Sequence, residues 1–501
     1  MDKRRALLNI ITSISLKILL LFVALINRKV LITQIGNDAN GLNSLYINLI
    51  SIISVAELGI GSAIIYSMYS PIVNNDTKKV SALYHLYKKI YLVIASIILF
   101  VGLLITPTLP ILAKGVNNSI SLYITYILFL LSIVLTYLYS ARSSLMNAYK
   151  NNYITTLIEQ LGQLALNCIQ IIILFITKSF VIFIVVRIFV VLLQFLITKI
   201  ISDKLHKNII KEKAKIDSET KKEIIRNVKA MFFHKLGGVL INSTDSIIIS
   251  SCISISVLGL YGNYCTIIVA LVGVLNLIFS QITSIIGHAY IKQDSQKFKE
   301  NFAFFHNFNF VIGLIFFLGI YAVINPFIEL FYGSEFLLDK KTIIILTLNY
   351  FIQFMRSSVL TFRDATGNFY YDRYKAIFEG ILNIILSLIF VQFSGIFGVL
   401  FATILTNIFI CHIVEPYVLY KHAFKESPKS YYIKNYSYIL IFIICLFTYS
   451  LINKINLNNN YLQFFVNGVI SVLIASIPCL IIIFKSKSTR EKLAVILKKR
   501  K

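Results

Sequence analysis

The sequence predicts an all-α polytopic membrane protein with about 14 transmembrane helices, and two observations support this prediction. Hydrophobic residues make up 57% of the 501 residues, charged residues only 14%, and the mean hydropathy is +0.79. Apolar stretches of about 20 residues, long enough to cross a hydrocarbon core as a helix, recur along the whole chain. We expect two six-helix lobes, related by a pseudo-two-fold axis along the membrane normal, plus two C-terminal helices.

The predicted spans are separated by short polar connections. Their approximate bounds are 7–33, 41–67, 89–112, 121–141, 154–176, 179–200, 229–252, 258–288, 303–325, 342–364, 376–394, 396–419, 435–453 and 462–484. Most of the 48 Lys and Arg residues fall in the connections on one side, which the positive-inside rule assigns to the cytoplasm together with both termini. The net charge of +26 then reflects topology and attraction to an anionic inner leaflet, and requires no nucleic-acid partner. The abundance of Ile, Asn and Lys suggests an AT-rich bacterial genome, and we expect the protein to lie in the bacterial cytoplasmic membrane.

A long polar segment divides the chain. We interpret residues 202–228 as a cytoplasmic linker between two lobes. The N-lobe comprises residues 1–201 with spans 1–6, and the C-lobe comprises residues 229–420 with spans 7–12. Residues 421–501 contain spans 13 and 14 and a basic cytoplasmic tail.

The two lobes are predicted to be internal repeats. Spans and cytoplasmic loops stay in phase when the chain is aligned with itself at 218 residues, the separation of Asp76 and Asp294. Asp76 is expected to cap a short amphipathic helix that lies in the membrane interface. Its apolar face and the matching face of the second copy consist of Val80, Leu83, Tyr84, Tyr87 and Tyr91, and of Phe298, Phe302 and Phe305.

Five basic residues fall inside predicted spans. They are Lys17, Arg28, Lys29, Arg187 and Arg356. A charge in hydrocarbon costs at least ~2.5–3.5 kcal/mol on insertion scales, so such residues usually face an aqueous cavity or pair with an opposite charge. We predict that they bind an anionic substrate. The alternative for all five is structural ion pairing, and the candidate acids are Glu57, Glu159, Asp245 and Glu379.

Polar residues also recur at helical spacing within the spans. The three stripes are Glu159, Gln163, Asn167 and Gln170; His234, Gly238, Asn242 and Asp245; and Asn349, Gln353 and Arg356. Spacings of three and four place each stripe on one helical face, which predicts a shared polar interior. We expect Gln163 and Gln353 to bind substrate. Glu57 and Asp245 are candidates for gating or for coupling to a proton or sodium gradient, because a carboxylate in low dielectric changes protonation state readily.

No motif for catalysis or cofactor binding is found. The chain has no phosphate-binding glycine loop, no GxSxG and no HExxH, and its seven His residues are scattered. The six Cys residues show no CxxC spacing. We therefore predict a protein that is not an enzyme and that holds no metal or cofactor.

One stretch carries a family resemblance. The sequence GLNSLYINLISIISVAELGIGSAIIYSMYSP, residues 41–71, is followed by NDTKKVSALYHLYKKIY and preceded by RKVLITQIG. This pattern resembles Wzx-like polysaccharide repeat-unit flippases of the polysaccharide transporter family, within the multidrug/oligosaccharidyl-lipid/polysaccharide exporter superfamily. The resemblance is specific over about residues 1–95 and concerns topology alone beyond them.

The resemblance implies alternating access of a central cavity that carries an undecaprenyl-pyrophosphate-linked oligosaccharide to the outer leaflet, for capsule or exopolysaccharide synthesis. It also implies contact with membrane lipids and a polysaccharide polymerase as partner. Cationic side chains would bind the pyrophosphate, and amides would meet sugar hydroxyls. Three alternatives stay open: a drug or cation antiporter of the same superfamily, a peptidoglycan-precursor flippase, and a membrane polysaccharide polymerase.

Overall fold

A computed structural model describes most of the chain. The described residues are 3–54, 60–116, 119–212, 214, 243–292, 295–368, 371–372, 374–452, 460–486 and 490. Every regular element within these ranges is a helix, which confirms the all-α prediction. The chain forms two compact units, which we call the N-unit, Met1–Gly259, and the C-unit, Leu260–Lys501. Most of the predicted linker, residues 202–228, lies outside the described residues.

The N-unit contains long helices joined by short turns. They are α1 Lys3–Gln34, α2 Asn37–Ile53, α3 Ile60–Val73, α4 Thr77–Ile105, α5 Leu109–Leu112, α6 Ser119–Ala148, α7 Asn152–Thr177, α8 Phe180–Lys211 and α9, residues 243–248. A 3-10 turn, Thr106–Thr108, joins α4 to α5, and a π-turn, Ile249–Ile253, follows α9.

The C-unit begins within α10. Its helices are α10 Ile255–Lys292, α11 Ser295–Phe331, α12 Lys340–Met355, α13 Ser357–Ala365, α14 Lys375–Thr406, α15 His412–Leu419, α16 Lys429–Ile452 and α17 Asn460–Lys485. A 3-10 turn lies at Ser334–Phe336. Two π-helical segments, Asn407–Cys411 and Tyr420–Phe424, flank α15.

Ten helical stretches in the described residues are long and apolar enough to cross a membrane, against the predicted total of about 14. They are Thr77–Leu112, Ser121–Ala148, Asn152–Thr177, Phe180–Lys211, Ile255–Asn276, Gln296–Phe331, Lys340–Ala365, Lys375–Phe424, Lys429–Ile452 and Tyr461–Lys485. This finding confirms a multi-pass membrane protein.

One of the ten stretches contains two predicted spans. The stretch Lys375–Phe424 is 50 residues long, and it turns at Gly395, whose φ of 56° and ψ of −133° lie in a region that only glycine adopts readily. A Cβ on the nearby Gly398 would lie 2.2 Å from the carbonyl oxygen of Phe390, so the two arms of this turn meet backbone to backbone. The predicted spans 376–394 and 396–419 are thus separated by the turn at Gly395.

The helix boundaries agree with the predicted repeat. Helices α2 and α10 begin at Asn37 and Ile255, and helices α4 and α11 begin at Thr77 and Ser295. Both pairs are separated by the predicted offset of 218 residues. Equivalent helices of the two sequence copies therefore start at equivalent positions.

The amphipathic helix after Asp76 differs from the prediction. The Asp76 carboxylate accepts a hydrogen bond from the amide of Lys79 at 2.9 Å, so the predicted cap is present. The helix, however, continues to Ile105, and Val80, Tyr84 and Tyr87 are buried within the N-unit. The repeat-related Phe298, Phe302 and Phe305 are likewise buried within the C-unit. Because both faces pack against protein, neither forms the expected helix lying in the membrane interface.

Two glycines allow the starts of α2 and α10 to touch. A Cβ on Gly41 would lie 2.1 Å from the carbonyl oxygen of Ile255, and a Cβ on Gly259 would lie 2.8 Å from that of Asn37. Gly259 is the repeat equivalent of Gly41, and Ile255 that of Asn37. Each helix start thus presents its glycine to the first residue of the other.

Candidate functional site

An amide layer joins α1 to α7 inside the N-unit. The Asn27 Nδ2 donates hydrogen bonds to Asn167 Oδ1 and to Gln170 Oε1, both at 2.8 Å. The Gln170 Nε2 in turn donates to the carbonyl of Phe183 on α8 at 2.9 Å. All three amide side chains are buried. Asn27 Oδ1 and Asn167 Nδ2 make no hydrogen bond within the described residues, so this layer keeps one acceptor and one donor unused.

The predicted cations of α1 occupy different environments. Arg28 follows Asn27 and is partly buried, and its Nη2 donates to Ser44 Oγ on α2 at 3.0 Å. Lys29 is also partly buried, whereas Lys17 is exposed at the protein surface. The structure thus places Arg28 and Lys29 next to the amide layer along the chain and Lys17 about 15 Å away at 1.5 Å per residue.

Arg187 lies on α8, one turn after Phe183, whose carbonyl accepts the hydrogen bond from Gln170. Its guanidinium carbon is 4.6 Å from the centroid of the Phe129 ring on α6, a cation–π contact. Within the described part of the chain, no carboxylate forms an ion pair with Arg187. A guanidinium held in a membrane span against an aromatic ring retains its N–H donors for an anion.

The other predicted site residues of the N-unit have varied surroundings, and some of them lie outside the described residues. Gln163 and Glu159 are exposed at the protein surface, although they lie on the same helix as Asn167 and Gln170. Asp245 is buried on α9. Glu57 lies outside the described residues, and so do His234, Gly238 and Asn242 of the second predicted stripe.

The C-unit contains a buried cluster of charges centred on Arg356. Its Nε and Nη2 donate to the two oxygens of Glu415 at 3.1 and 2.6 Å, a bidentate pair. Its Nη1 donates to Asn407 Oδ1 at 2.7 Å and lies 3.5 Å from Glu379 Oε1. For Arg356 the structure therefore shows the ion pairing that the sequence offered as the alternative to substrate binding.

Lys375 completes the cluster. Its Nζ forms an ion pair with Glu415 and lies 3.4 Å from Glu379 Oε2. Both carboxylate side chains are 1% exposed, and the side chains of Lys375 and Arg356 are 8% and 15% exposed. When all four side chains are ionised, their two positive and two negative charges sum to zero. Their mutual attraction offsets much of the cost of burying them.

The backbone is irregular at this cluster, which we call the C-unit charge cluster (Arg356, Lys375, Glu379, Asn407 and Glu415). Arg356 is the residue that separates α12 from α13, and its amide bonds to the Gln353 carbonyl at 3.2 Å. Asn407 begins a π-helical segment that ends at Cys411. Helix interruptions and π-turns often mark functional sites, and here they aim the polar side chains at one point.

Polar residues close to the cluster along the chain form further hydrogen bonds. Gln353 Nε2 donates to Asn349 Oδ1 at 3.2 Å, so these two members of the third predicted stripe do share a helical face. His412 bonds through Nε2 to the carbonyl of Ile352 at 3.0 Å and through Nδ1 to Asn435 on α16 at 2.9 Å. The broken span is thereby fixed to α15 and α16.

Sequence reasoning missed four members of this region: Lys375, Asn407, His412 and Glu415. Lys375 directly precedes the predicted span 376–394, and in the structure it is the first residue of α14. Glu415 stands in an apolar stretch directly before Pro416, and a carboxylate at such a position is the signal that could have identified it. No group of three or more His, Cys, Asp and Glu residues able to hold a metal was found in the described residues.

The sequence matches no protein-family profile and no curated protein. Solved structures, in contrast, are similar over most of the chain. The lipid II flippase MurJ, in an inward closed conformation, has a TM-score of 0.62 at 18% identity and covers 92% of this chain and 98% of its own.

Two transporters of the MATE family are also similar. An inward-facing multidrug resistance MATE transporter of the MOP superfamily has a TM-score of 0.60 at 13% identity, covering 80% of this chain and 93% of its own. A mutant of the Vibrio cholerae MATE transporter VcmN has a TM-score of 0.54 at 15% identity, covering 85% and 97%. The chain therefore has the fold shared by MurJ and the MATE transporters of the MOP superfamily.

Proposed function

We propose that this protein is a flippase, which moves polyprenyl-pyrophosphate-linked oligosaccharide repeat units from the inner to the outer leaflet by alternating access. The expected products are capsule or exopolysaccharide precursors, and a polysaccharide polymerase would use them. The fold shared with a lipid II flippase and with exporters supports transport, and the side chains of the N-unit support an anionic, sugar-bearing substrate.

The observation that carries the proposal is the guanidinium of Arg187. Placing an arginine in a membrane span is unfavourable unless an anion or a polar cavity compensates its charge, and no described carboxylate pairs with it. Arg28 and Lys29 add positive charge on α1. A pyrophosphate carries at least two negative charges and several acceptor oxygens, which suits a site built from guanidinium groups.

The amide layer supports the sugar part of the substrate. Asn27 Oδ1 can accept a hydrogen bond and Asn167 Nδ2 can donate one, yet both are buried without a partner among the described residues. A sugar hydroxyl both donates and accepts, so its chemistry matches both atoms. Leaving them unpaired costs about 1–3 kcal/mol each, which favours a polar ligand at this position.

A drug or cation antiporter is the second candidate, and Asp245 favours it. Its side chain is buried in the N-unit, and a buried carboxylate in a membrane transporter suits the binding of a cationic drug or a coupling ion. Under our proposal, Asp245 and Glu57 serve gating or ion coupling. The substrate of a peptidoglycan-precursor flippase would present the same pyrophosphate group to the protein and would differ in the attached sugars.

The test is transport by the purified protein in proteoliposomes. A fluorescent polyprenyl-pyrophosphate oligosaccharide is placed in both leaflets, and its accessibility to an external quencher is followed over time. Arg187→Gln is expected to slow flipping at least about tenfold, because an interaction with a charged group is worth ~1.5–3 kcal/mol. Lys199→Gln is the matched control, since Lys199 is exposed on the same helix and should leave the rate unchanged.

Two outcomes would overturn the proposal. One is flipping at the wild-type rate by Arg187→Gln, which would show that Arg187 does not bind the substrate. The other is gradient-driven export of ethidium by the same vesicles without flipping of the lipid-linked glycan, which would establish the antiporter.

A further inference from the structure

An apolar groove runs between α7 and α8 of the N-unit, away from the amide layer. Its volume is about 490 Å³, within the range of ligand-binding cavities. Leu157, Leu161 and Ala165 of α7 line one wall, and Val190, Leu193 and Ile197 of α8 line the other. Among the described lining residues, only Gln194 has a hydrogen-bonding side chain, and its Nε2 already donates to the Ile158 carbonyl at 3.2 Å. The groove therefore offers a ligand mainly hydrocarbon contacts.

Small residues of α7 create the space. A Cβ on Gly162 would lie 2.0 Å from Nε2 of Gln194, so glycine is required for Gln194 to fold against α7. Ala165 follows one turn later on the same face. The polar residues Asn167 and Gln170 occupy the opposite face of α7, as their spacing from Ala165 requires. One face of α7 thus serves the interior of the N-unit and the other forms the groove.

The size of the groove suits a single acyl chain. Its volume of about 490 Å³ lies within the range of sites that hold one small apolar ligand. The undecaprenyl tail of the proposed substrate is several times longer. From Ile154 to Ile169 the lining extends ~22 Å along α7, close to the depth of one leaflet with its interface.

Basic residues lie where the head group of such a lipid would be. Lys204 lies three residues beyond Ile201, the last lining residue of α8, and so continues the same helical face. Lys150 lies two residues before the start of α7, and both lysines are exposed. Tyr153 is 63% exposed at the start of α7, as aromatic residues at the membrane interface often are. The positive-inside rule assigns this end to the cytoplasm.

We propose that the groove between α7 and α8 binds one acyl chain of an anionic phospholipid of the inner leaflet, with its phosphate near Lys204 and Lys150. This lipid is a resident partner and is distinct from the transported substrate. The proposal does not depend on the proposed function, because it rests on the shape of the groove and on the charges at its end.

The experiment is native mass spectrometry of the purified full-length protein, titrated with dioleoylphosphatidylglycerol. One tightly bound molecule is expected. Ala165→Phe fills the groove and should weaken binding about tenfold through lost hydrocarbon contacts. Leu196→Phe is the control, because Leu196 is exposed on α8 and does not line the groove. Lys204→Ala should weaken binding about fivefold, whereas Lys207→Ala, also exposed on α8, should not.

Three results would overturn the proposal. Unchanged phosphatidylglycerol binding by Ala165→Phe, in protein with wild-type helix content, would exclude the groove. Equal effects of Lys204→Ala and Lys207→Ala would show that Lys204 makes no specific contact with the head group and acts only through general surface charge. Displacement of phosphatidylglycerol by an equal amount of undecaprenyl phosphate would make the groove part of the substrate path.

Discussion

Two arginines inside predicted membrane spans, Arg187 and Arg356, have opposite surroundings. Arg356 in the C-unit donates to Glu415 and Asn407 and lies near Glu379, within a neutral cluster of four charges. Arg187 in the N-unit contacts the ring of Phe129, and no described carboxylate pairs with it. An intramembrane arginine is therefore no uniform sign of a substrate site. Its role depends on whether the fold supplies an anion, and of these two only Arg356 has a carboxylate partner among the described residues.

The comparison predicts its largest effect at Arg356. Arg356→Met leaves Glu415 and Glu379 buried with only Lys375 of the cluster to pair with them, and breaking a buried pair in this way costs ~3–5 kcal/mol. The apparent melting temperature in detergent should fall strongly, and Lys199→Met should leave it unchanged. Adding Glu415→Leu should restore part of the loss. Wild-type melting of the single variant would contradict the structural role given to Arg356.

The two carboxylates of the cluster should differ in importance. Glu415 accepts two hydrogen bonds from Arg356 and pairs with Lys375, whereas Glu379 lies 3.5 Å from Arg356 and 3.4 Å from Lys375. Loss of the charge-assisted bonds makes Glu415→Gln cost ~2–3 kcal/mol, against about 1 kcal/mol for Glu379→Gln. Melting of the two variants side by side tests this order, which equal losses would refute.

Removing Arg187 should change the stability in the opposite direction, toward a slightly more stable protein. Arg187→Met relieves an insertion cost of ~2.5–3.5 kcal/mol and loses a cation–π contact of up to ~2 kcal/mol, which leaves a gain of about 1 kcal/mol. We expect an unchanged or slightly higher melting temperature together with lost flipping. A marked decrease in melting temperature would show that Arg187 has a structural partner, and the contrast with Arg356 would disappear.

The smallest effect on flipping is expected in the amide layer. Asn27→Ala removes two neutral hydrogen bonds, and such bonds each contribute about 0.5–1.5 kcal/mol net. Flipping of the glycan-bearing lipid should slow more than flipping of undecaprenyl phosphate alone, and the melting temperature should fall by the equivalent of about 1–3 kcal/mol. If flipping of both lipids slowed equally, the amides would not recognise the sugar.

Much of the fold could be predicted from local sequence, whereas the partners of the charges could not. Segment length and hydropathy predicted the helices, and Asp76 predicted a helix start that the structure shows. The division of the span at Arg356 was not predicted, because it depends on the positions of Asn407 and Glu415, which lie 51 and 59 residues later in the chain. Periodicity shows that residues share a helical face and cannot show which helix that face meets.

The sequence alone determined the composition of the membrane spans, the asymmetry of basic residues and the offset between the two copies, since these depend on residues close in the chain or on simple periodicity. Tertiary structure alone decided which charges are neutralised. It paired Arg356 with two carboxylates, set Arg187 against an aromatic ring, and buried Tyr84 and Phe302 in protein instead of the membrane interface. The physical reason is that the cost of a charge or an apolar face depends on its neighbours in space, which helix packing brings together from distant parts of the chain.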